Sequence, residues 1–341
     1  MKVLVQRYSA LGDIIILLPI LQQLKLDYPE LKIAFASKPL VAPFFNDLDI
    51  EFIPIDHKGK HKGLRGLRRF AKEIEEQFRP DIIIDAHMVL RSMVVSRSFQ
   101  LGGRKVYSIR KDRPARKRFL KAATEGREPL MQISRLHLEN FQRAGFDLNF
   151  NRESIPIAPF SLDEEIKSWF EERKALQNIG IAPGSKHLSK TWPNEKYLEV
   201  MKGLKSKDRH FFLFGGWDEH DTLDKLGRES GCSYSVMAGK FSLDQESALC
   251  KELSVFISND SSNMHLAAWS GCPVVSIWGG THPDAGFAPY MNEAHMVALG
   301  EDELDCRPCS VFGTGECSRG DFACLHHLDS QRVLQKVNSI L

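Results

Sequence analysis

The stretch Leu253-Ser-Val-Phe-Ile257, Ser258-Asn-Asp-Ser-Ser-Asn-Met-His265, Leu266-Ala-Ala-Trp-Ser-Gly-Cys272 and Pro273-Val-Val-Ser-Ile277 decides the fold. Its first five residues are an apolar run that reads as a buried strand. A short polar turn follows, then a helical pattern, then a second apolar strand at 273–277. Two buried strands joined through a helix are a parallel crossover unit. The turn is rich in Asn, Asp and Ser, so it leaves backbone N–H groups free at a helix start. Such a start favours a phosphate. His265 lies one turn into the helix, close enough to face the same ligand. Taken alone, the segment reads equally as an Asp/Ser cap with a solvated histidine.

The same alternation extends in both directions. Toward the N-terminus, strands are predicted at 178–182, 210–214 and 234–237, with helices at 194–206, after the turn 215–219 to about 229, and from Ser242. A helix follows Ser161, at 162–174, with Asp163, Glu164 and Glu165 in its first turn. Ile155-Pro-Ile-Ala-Pro159 is a proline-punctuated break and the candidate linker. Before it lie strands at 2–7, 32–36, 51–55, 81–85 and 105–108, with helices near 14, 63–78, 88–99, 113–124 and 132–145. The chain closes in a helix at 329–341. The 341 residues therefore suit two α/β domains, each a parallel sheet with helices on both faces. Neither a G-x-G-x-x-G fingerprint nor a G-x-x-x-x-G-K-[ST] loop occurs, which argues against nicotinamide and P-loop chemistry.

Composition bounds the class. At 43% hydrophobic and 26% charged residues the chain suits a soluble globular protein. No apolar run reaches the roughly 18 residues of a membrane span. Ile14 to Ile20 lacks a basic leader and a cleavage site, so it is not read as a signal peptide, and a cytoplasmic location is expected. The net charge of +2 hides two basic stripes. Residues 57–72 carry seven Lys/Arg and no acid, Arg65 and Arg68 among them. Residues 104–121, with Arg110 and Arg113, carry nine against the single Asp112. Such stripes fit either a solvated helix face or an anionic partner. Nothing in the chain matches a nucleic-acid motif.

In open α/β sheets, ligands gather at the carboxyl ends of strands. The polar turns at 8–13, 183–190, 215–219 and 258–265 all fall there. Asp13, after Ser9 and Gly12, reads as an N-cap or as a carboxylate pushed into a cleft. Lys186 and Lys190, after Gly184-Ser185, read as solvated or as phosphate ligands. Glu219 reads as a first-turn acid or as an acceptor for ribose or sugar hydroxyls.

The ordered set Ser9-x-x-Gly12-Asp13, Pro183-Gly184-Ser185, Lys190-x-Trp192-Pro193, Gly215-x-x-x-Glu219 and Asp260-Ser261-x-x-x-His265 resembles glycosyltransferase family 9, the ADP-heptose:lipopolysaccharide heptosyltransferases. The resemblance covers nearly the whole chain. It implies a GT-B fold, two Rossmann-like domains facing a cleft. An acceptor domain would span 1–160, with helix 329–341 packing back on it, and a nucleotide-sugar domain 176–328. Asp13 would be the general base and Lys190 would meet charge on the leaving diphosphate. Ser185 and Lys186 would lie around that diphosphate, Glu219 at the ribose and Phe241 at the adenine. Asp260, Ser261, Ser262 and His265 would form the loop that holds the donor sugar and phosphates. Ser9, Gly12, Arg65, Arg68, Arg110 and Arg113 would face an anionic glycolipid acceptor at the inner face of the inner membrane. The chain departs from the family at Ser262, where glycine is usual. That Cβ motivates one alternative, another nucleotide-sugar donor for a different surface glycan. A non-catalytic nucleotide-binding module is the alternative of another class, against which the intact Asp13 and Lys190 speak. No D-x-D metal motif stands near a donor loop, so catalysis is expected to need no metal or other cofactor.

Four cysteines, Cys306-x2-Cys309-x7-Cys317-x6-Cys324, sit in a Gly- and Pro-bearing loop. A structural zinc, free thiols and disulfides are all compatible with that spacing.

Overall fold

The computed structural model describes residues 1–121, 127–300 and 302–341. The chain divides into two compact units. The first holds Met1–Lys111 and Ile133–Pro159, the second Asp112–Gln132 and Phe160–Leu341.

The first unit is built on β1 (Lys2–Gln6), α1 (Leu11–Asp27), β2 (Lys32–Ser37), β3 (Glu51–Pro54), α2 (Gly63–Gln77), β4 (Ile82–Asp85), α3 (Leu90–Leu101) and β5 (Lys105–Ser108). Its strands are ordered β3-β2-β1-β4-β5 and all pair in parallel. Val3, Leu4 and Val5 are fully buried, as expected of a central parallel strand covered on both faces. α1 is apolar nearly all round, and Ile14 to Leu21 are buried without a break. α2 is amphipathic: Leu67, Phe70, Ala71 and Ile74 face the core, while Arg65, Arg68 and Arg69 face solvent. Thus the first basic stripe is the outer face of one helix. α4 (Arg113–Lys121) follows β5, and α5 (Ile133–Arg143) returns to pack on α1.

The second unit runs α6 (Glu164–Glu171), β6 (Gln177–Ala182), α7 (Asn194–Gly203), β7 (Arg209–Leu213), α8 (His220–Ser230), β8 (Tyr234–Val236), α9 (Leu243–Cys250), β9 (Val255–Asn259), α10 (Ser262–Trp269), β10 (Val274–Ile277) and β11 (Met296–Val297). α11 (Ala323–His326) and α12 (Ser330–Asn338) end it. Its sheet, β11-β10-β9-β6-β7-β8, is again all parallel. Gly180 in β6 lets Phe256 and Leu253 close over the strand, since a Cβ there would lie 2.4 Å from the Phe256 ring.

Two expectations about domain limits change. Residues 112–132 belong to the second unit. Phe119 is buried with Ala285 and Val311, the Leu130 N–H bonds the Asp284 carbonyl at 2.8 Å, and Arg116 lies over the Phe312 ring at 5.0 Å. The second basic stripe is therefore split: Arg110 falls in the first unit and Arg113 in the second. Beyond Lys121, the helix predicted at 113–124 lies outside the described residues. The final helix does not extend the first unit as expected. Val333, Leu334 and Val337 of α12 complete the second core beside Val200, Met201 and Leu204 of the α7 segment, and Leu334 fills the space over Gly203. Among the described residues no helix is long and apolar enough to cross a membrane.

Gly180→Val should overpack the β6–β9 contact and lower unfolding stability by about 1–3 kcal/mol. Urea denaturation measures it, and an unchanged midpoint would refute the close packing.

Candidate active site

Each sheet has a topological switch point, where the crossovers turn to opposite directions and open a crevice at the strand ends. In the second unit it lies between β6 and β9, and in the first between β1 and β4. The polar turns singled out in the sequence stand at these two places.

At the β6/β9 point the organiser is Asn259, the last residue of β9, fully buried. Its Nδ2 donates to the Pro183 carbonyl at 2.5 Å. Its Oδ1 accepts from the Trp192 N–H at 3.2 Å and the Tyr197 hydroxyl at 3.0 Å. One amide thus joins the turn after β6, the segment entering α7 and α7 itself. Asp260 follows, 5% exposed, and its Oδ2 accepts from Thr281 Oγ1 at 2.8 Å and lies 2.8 Å from Lys190 Nζ. Asp260 therefore holds a lysine and a threonine, where sequence reasoning placed it on the donor directly. Lys190 ends a 3₁₀ turn, Leu188–Lys190. Its stem is covered by Gly313, at φ +76°, where a Cβ would come 2.6 Å from Lys190 Cε. Ser189 Oγ donates to the Gly313 carbonyl at 2.9 Å, so the cysteine-bearing loop straps the lysine in place.

α10 begins at Ser262 with Ser261 as its N-cap. The Ser261 side chain makes no capping bond and pairs instead with Ser258 Oγ at 3.1 Å. The first-turn N–H groups of α10 therefore have no side-chain cap and remain available to an anion. Ser262 has no positive φ, so its helical position makes no conformational demand for glycine. His265 is buried in α10, 4% exposed. Ser185 is half-buried and Lys186 exposed in the turn after β6. Burial, then Lys190 and Lys186, hold the nearby His187 below the usual histidine range.

Glu219 closes the 3₁₀ turn Trp217–Glu219 after β7. Its Oε2 accepts from the Gly216 N–H at 2.7 Å. A Cβ on Gly184 would lie 1.8 Å from Glu219 Oε1, and one on Gly215 2.9 Å from Oε2. These glycines are present for close approach of a carboxylate rather than for a left-handed backbone. Phe241 packs edge-on against Trp169 of α6, centroids 5.3 Å apart, with Lys240 over the Trp169 ring at 4.1 Å.

At the β1/β4 point, Asp13 sits in the first turn of α1. Its Oδ2 is 2.7 Å from an Arg7 guanidinium nitrogen and accepts from the Ala10 N–H at 3.4 Å. Burial pushes the carboxyl up, but Arg7 outweighs it and holds Asp13 below the ordinary aspartate value. Ser9 Oγ is 3.3 Å from His87 Nε2. Gly12 lies within α1. Gln6, Tyr8, Asp85 and Ser96 knit the floor: Gln6 donates to Ser96 Oγ at 2.7 Å, Tyr8 donates to Gln6 at 2.5 Å and Ser96 donates to Asp85 at 3.2 Å. Arg65, Arg68, Arg110 and Arg113 are all exposed, spread over three segments. Asn259, Thr281, Gly313 and Arg7 were missed as site residues. Only Asn259 had a visible signal, a buried-strand position inside the opening motif.

All seven cysteines are free, so no disulfide forms. Among the described residues no group of three or more His, Cys, Asp or Glu is disposed to hold a metal ion. Burial raises the Cys324 thiol to about 11. For Cys317 burial also raises it, but backbone N–H groups of Phe322, Arg319, Gly320 and Asp321 outweigh this and hold it below the ordinary thiol value.

The sequence profile of glycosyltransferase family 9 (heptosyltransferase) matches residues 67–312. The chain belongs to this family. It is 24% identical to lipooligosaccharide heptosyltransferase 2 of Haemophilus influenzae, over 100% of this chain and 99% of that one. It is 29% identical to lipopolysaccharide heptosyltransferase 2 of Escherichia coli K12 over 48% of this chain, and that match spans about half of the relative, 46%. Among solved structures, the glycosyl transferase family 9 protein of Veillonella parvula covers 99% of this chain and 96% of its own, with TM-score 0.79 at 20% identity. The Escherichia coli ADP-heptose lps heptosyltransferase II covers 100% and 98%, with TM-score 0.71 at 21% identity. The fold is thus the GT-B architecture of this family, as the motif set implied. The profile match begins at residue 67, after β1 and α1, so Asp13 lies outside it.

Asn259→Leu should orphan the Pro183 carbonyl, the Trp192 N–H and the Tyr197 hydroxyl. We expect a loss of about 3 kcal/mol or more in urea unfolding. A loss below about 1 kcal/mol would show that these groups find other partners.

Proposed function

We propose that this protein is an inverting glycosyltransferase that moves heptose from ADP-heptose to the Kdo or inner-core heptose of a lipopolysaccharide core acceptor. The observation that carries the reading is the β6/β9 switch point. A helix start without a side-chain cap stands beside a lysine held in place by Asp260 and Gly313. Glu219, on the turn after β7, lies against Gly184 of the turn after β6. Together they make a diphosphate site with a carboxylate for ribose hydroxyls. The full-length likeness to a lipooligosaccharide heptosyltransferase supports the sugar and the acceptor class.

In this reading the second unit takes the donor. Ser185, Lys186, Ser261, Ser262 and the α10 amides contact the phosphates, Glu219 the ribose, and Phe241 borders the adenine. Asp260 works through Lys190, whose ammonium meets the charge that builds on the leaving diphosphate. The first unit supplies Asp13 as base. The acceptor hydroxyl gives its proton to Asp13, its oxygen bonds to the anomeric carbon, and the bond to the diphosphate breaks with its electron pair leaving on phosphate. Asp13 is a weak base because Arg7 stabilises its ionised form, so its proton transfer accompanies bond formation rather than preceding it. No step calls for a metal. The outer face of α2 suits an anionic glycolipid and the inner face of the inner membrane. Ser262 motivates the competing donor, and the assay below includes it.

ADP-heptose should raise the thermal midpoint and UDP-sugars should not. Equal protection by UDP-sugars would overturn the donor. Asp13→Asn should keep that protection while transfer falls by about 10²–10⁴-fold. Surviving transfer would leave Asp13 a helix-start acid only. Gly184→Ala should displace the flexible end of Glu219, weakening ADP protection with little change in the unliganded midpoint; undiminished protection would remove Glu219 from the ribose.

A further inference from the structure

Arg7 follows β1 and is 4% exposed. One terminal nitrogen donates to the Ala86 carbonyl just past β4, and the other lies 2.7 Å from Asp13 Oδ2. The guanidinium thus spans the switch point, tying the ends of two neighbouring strands to the first turn of α1. Its two contacts use the planar fork that a lysine lacks. The Ala10 N–H also points to Oδ2, at 3.4 Å. Both anchors therefore fall on one carboxylate oxygen. Oδ1 makes no hydrogen bond among the described residues, and the side chain keeps 18% of its exposure.

We propose that Arg7 is the positioning residue that decides which oxygen of Asp13 works: it anchors Oδ2 and presents Oδ1 to the acceptor hydroxyl. The inference rests on Asp13 being the base. The hydroxyl proton passes to Oδ1 as the new glycosidic bond forms and the diphosphate departs with the electron pair of the broken bond. The neutral carboxyl then returns the proton to water, a return that Arg7 favours because it prefers the ionised acid. The same preference keeps Asp13 ready as a base in mildly acid solution.

The other groups facing Asp13 do not compete for that role. His137 on α5 is fully buried, with neither ring nitrogen hydrogen-bonded. Burial first, then Arg7, lowers it to about 3. The same two causes bring His87, after β4, to about 3. Tyr8 is pushed up by burial and by Asp85. Lys111, after β5, adds positive charge acting on both histidines. With Arg7 in place neither histidine changes charge above about pH 4. Because Arg7 lowers both histidines as well as Asp13, the Arg7→Lys kcat and the double variant, and not the limb alone, tie the effect to Asp13.

The sign follows. Arg7 lowers the Asp13 pKa, so removing its charge must raise that pKa and shift the acid limb to higher pH. The experiment is the pH profile of kcat/KM for wild type, Arg7→Met and Arg7→Lys. Thermal protection by ADP is measured on each variant as a check on the donor unit. Arg7→Met should move the acid limb to higher pH and lower kcat, with ADP protection intact. Arg7→Lys keeps the charge but loses the fork, so its acid limb should stay near wild type while kcat falls on the order of 10²-fold. On an Asp13→Asn background, Arg7→Lys should cost nothing further, because the two act as one unit. An unmoved limb in Arg7→Met, or wild-type kcat in Arg7→Lys, overturns the proposal. Should Arg7→Met fail to fold, the Arg7→Lys kcat and the double variant decide alone. Full transfer by Asp13→Asn would instead overturn the base reading on which Arg7 depends.

Discussion

A single buried amide holds the β6/β9 switch point together. Asn259 ends the central strand β9 with no solvent to satisfy it, so its oxygen and nitrogen must find partners in the protein. It finds three, and they fix the turn after β6, the Trp192 backbone at the entry to α7 and α7 itself through Tyr197. Because that geometry is set, the next residue, Asp260, can aim at Lys190 and Thr281. Because Lys190 is aimed, Gly313 can lie on its stem and bring the cysteine loop with it. Arg307, 2% exposed, secures the loop's other end by donating to the Gly279 and Thr281 carbonyls at 3.1 and 3.2 Å. A chain of unavoidable polar pairings thus builds a rigid site on the sheet rather than on loops alone.

The two units solve the same problem differently. Each places a shielded ion pair at its switch point, Lys190 with Asp260 and Arg7 with Asp13. Neither pair is there for net stability, since desolvation offsets much of the attraction, while removing one partner of a buried pair costs about 3–5 kcal/mol. What they provide is orientation. In the second unit the acid is subordinate, and the lysine is the group left to meet a ligand. In the first the cation is subordinate, and one oxygen of the acid is left uncovered. In the proposed reaction this contrast lets similar topologies serve a leaving group with one unit and a nucleophile with the other.

Much of this was legible in the sequence because period and punctuation report on strands and helices directly. The apolar runs at β1, β4, β6 and β9 announced two parallel sheets, and the polar turns after them marked the strand ends. The glycines at 184 and 215 announced a close approach without saying to what, and only the structure shows Glu219 lying there. Other features depend on contacts remote in sequence. Nothing local marks Arg7 as a clamp, since its partners are Asp13 and Ala86. The domain exchange of 112–132 rests on Phe119 meeting Ala285 and Val311. α12 carries an ordinary amphipathic pattern, which states that it packs but not on which core. His265 reads from the sequence as facing the loop's ligand yet is buried in α10, since helical spacing alone does not reveal which face is covered.

The central claim is that a nucleoside diphosphate occupies the β6/β9 switch point. A crystal structure of the protein with ADP tests this most directly. The account predicts phosphate oxygens within hydrogen-bonding distance of the α10 first-turn amides and of Lys190, with the ribose hydroxyls on Glu219. ADP bound elsewhere, or bound there with Lys190 and Glu219 untouched, would contradict it.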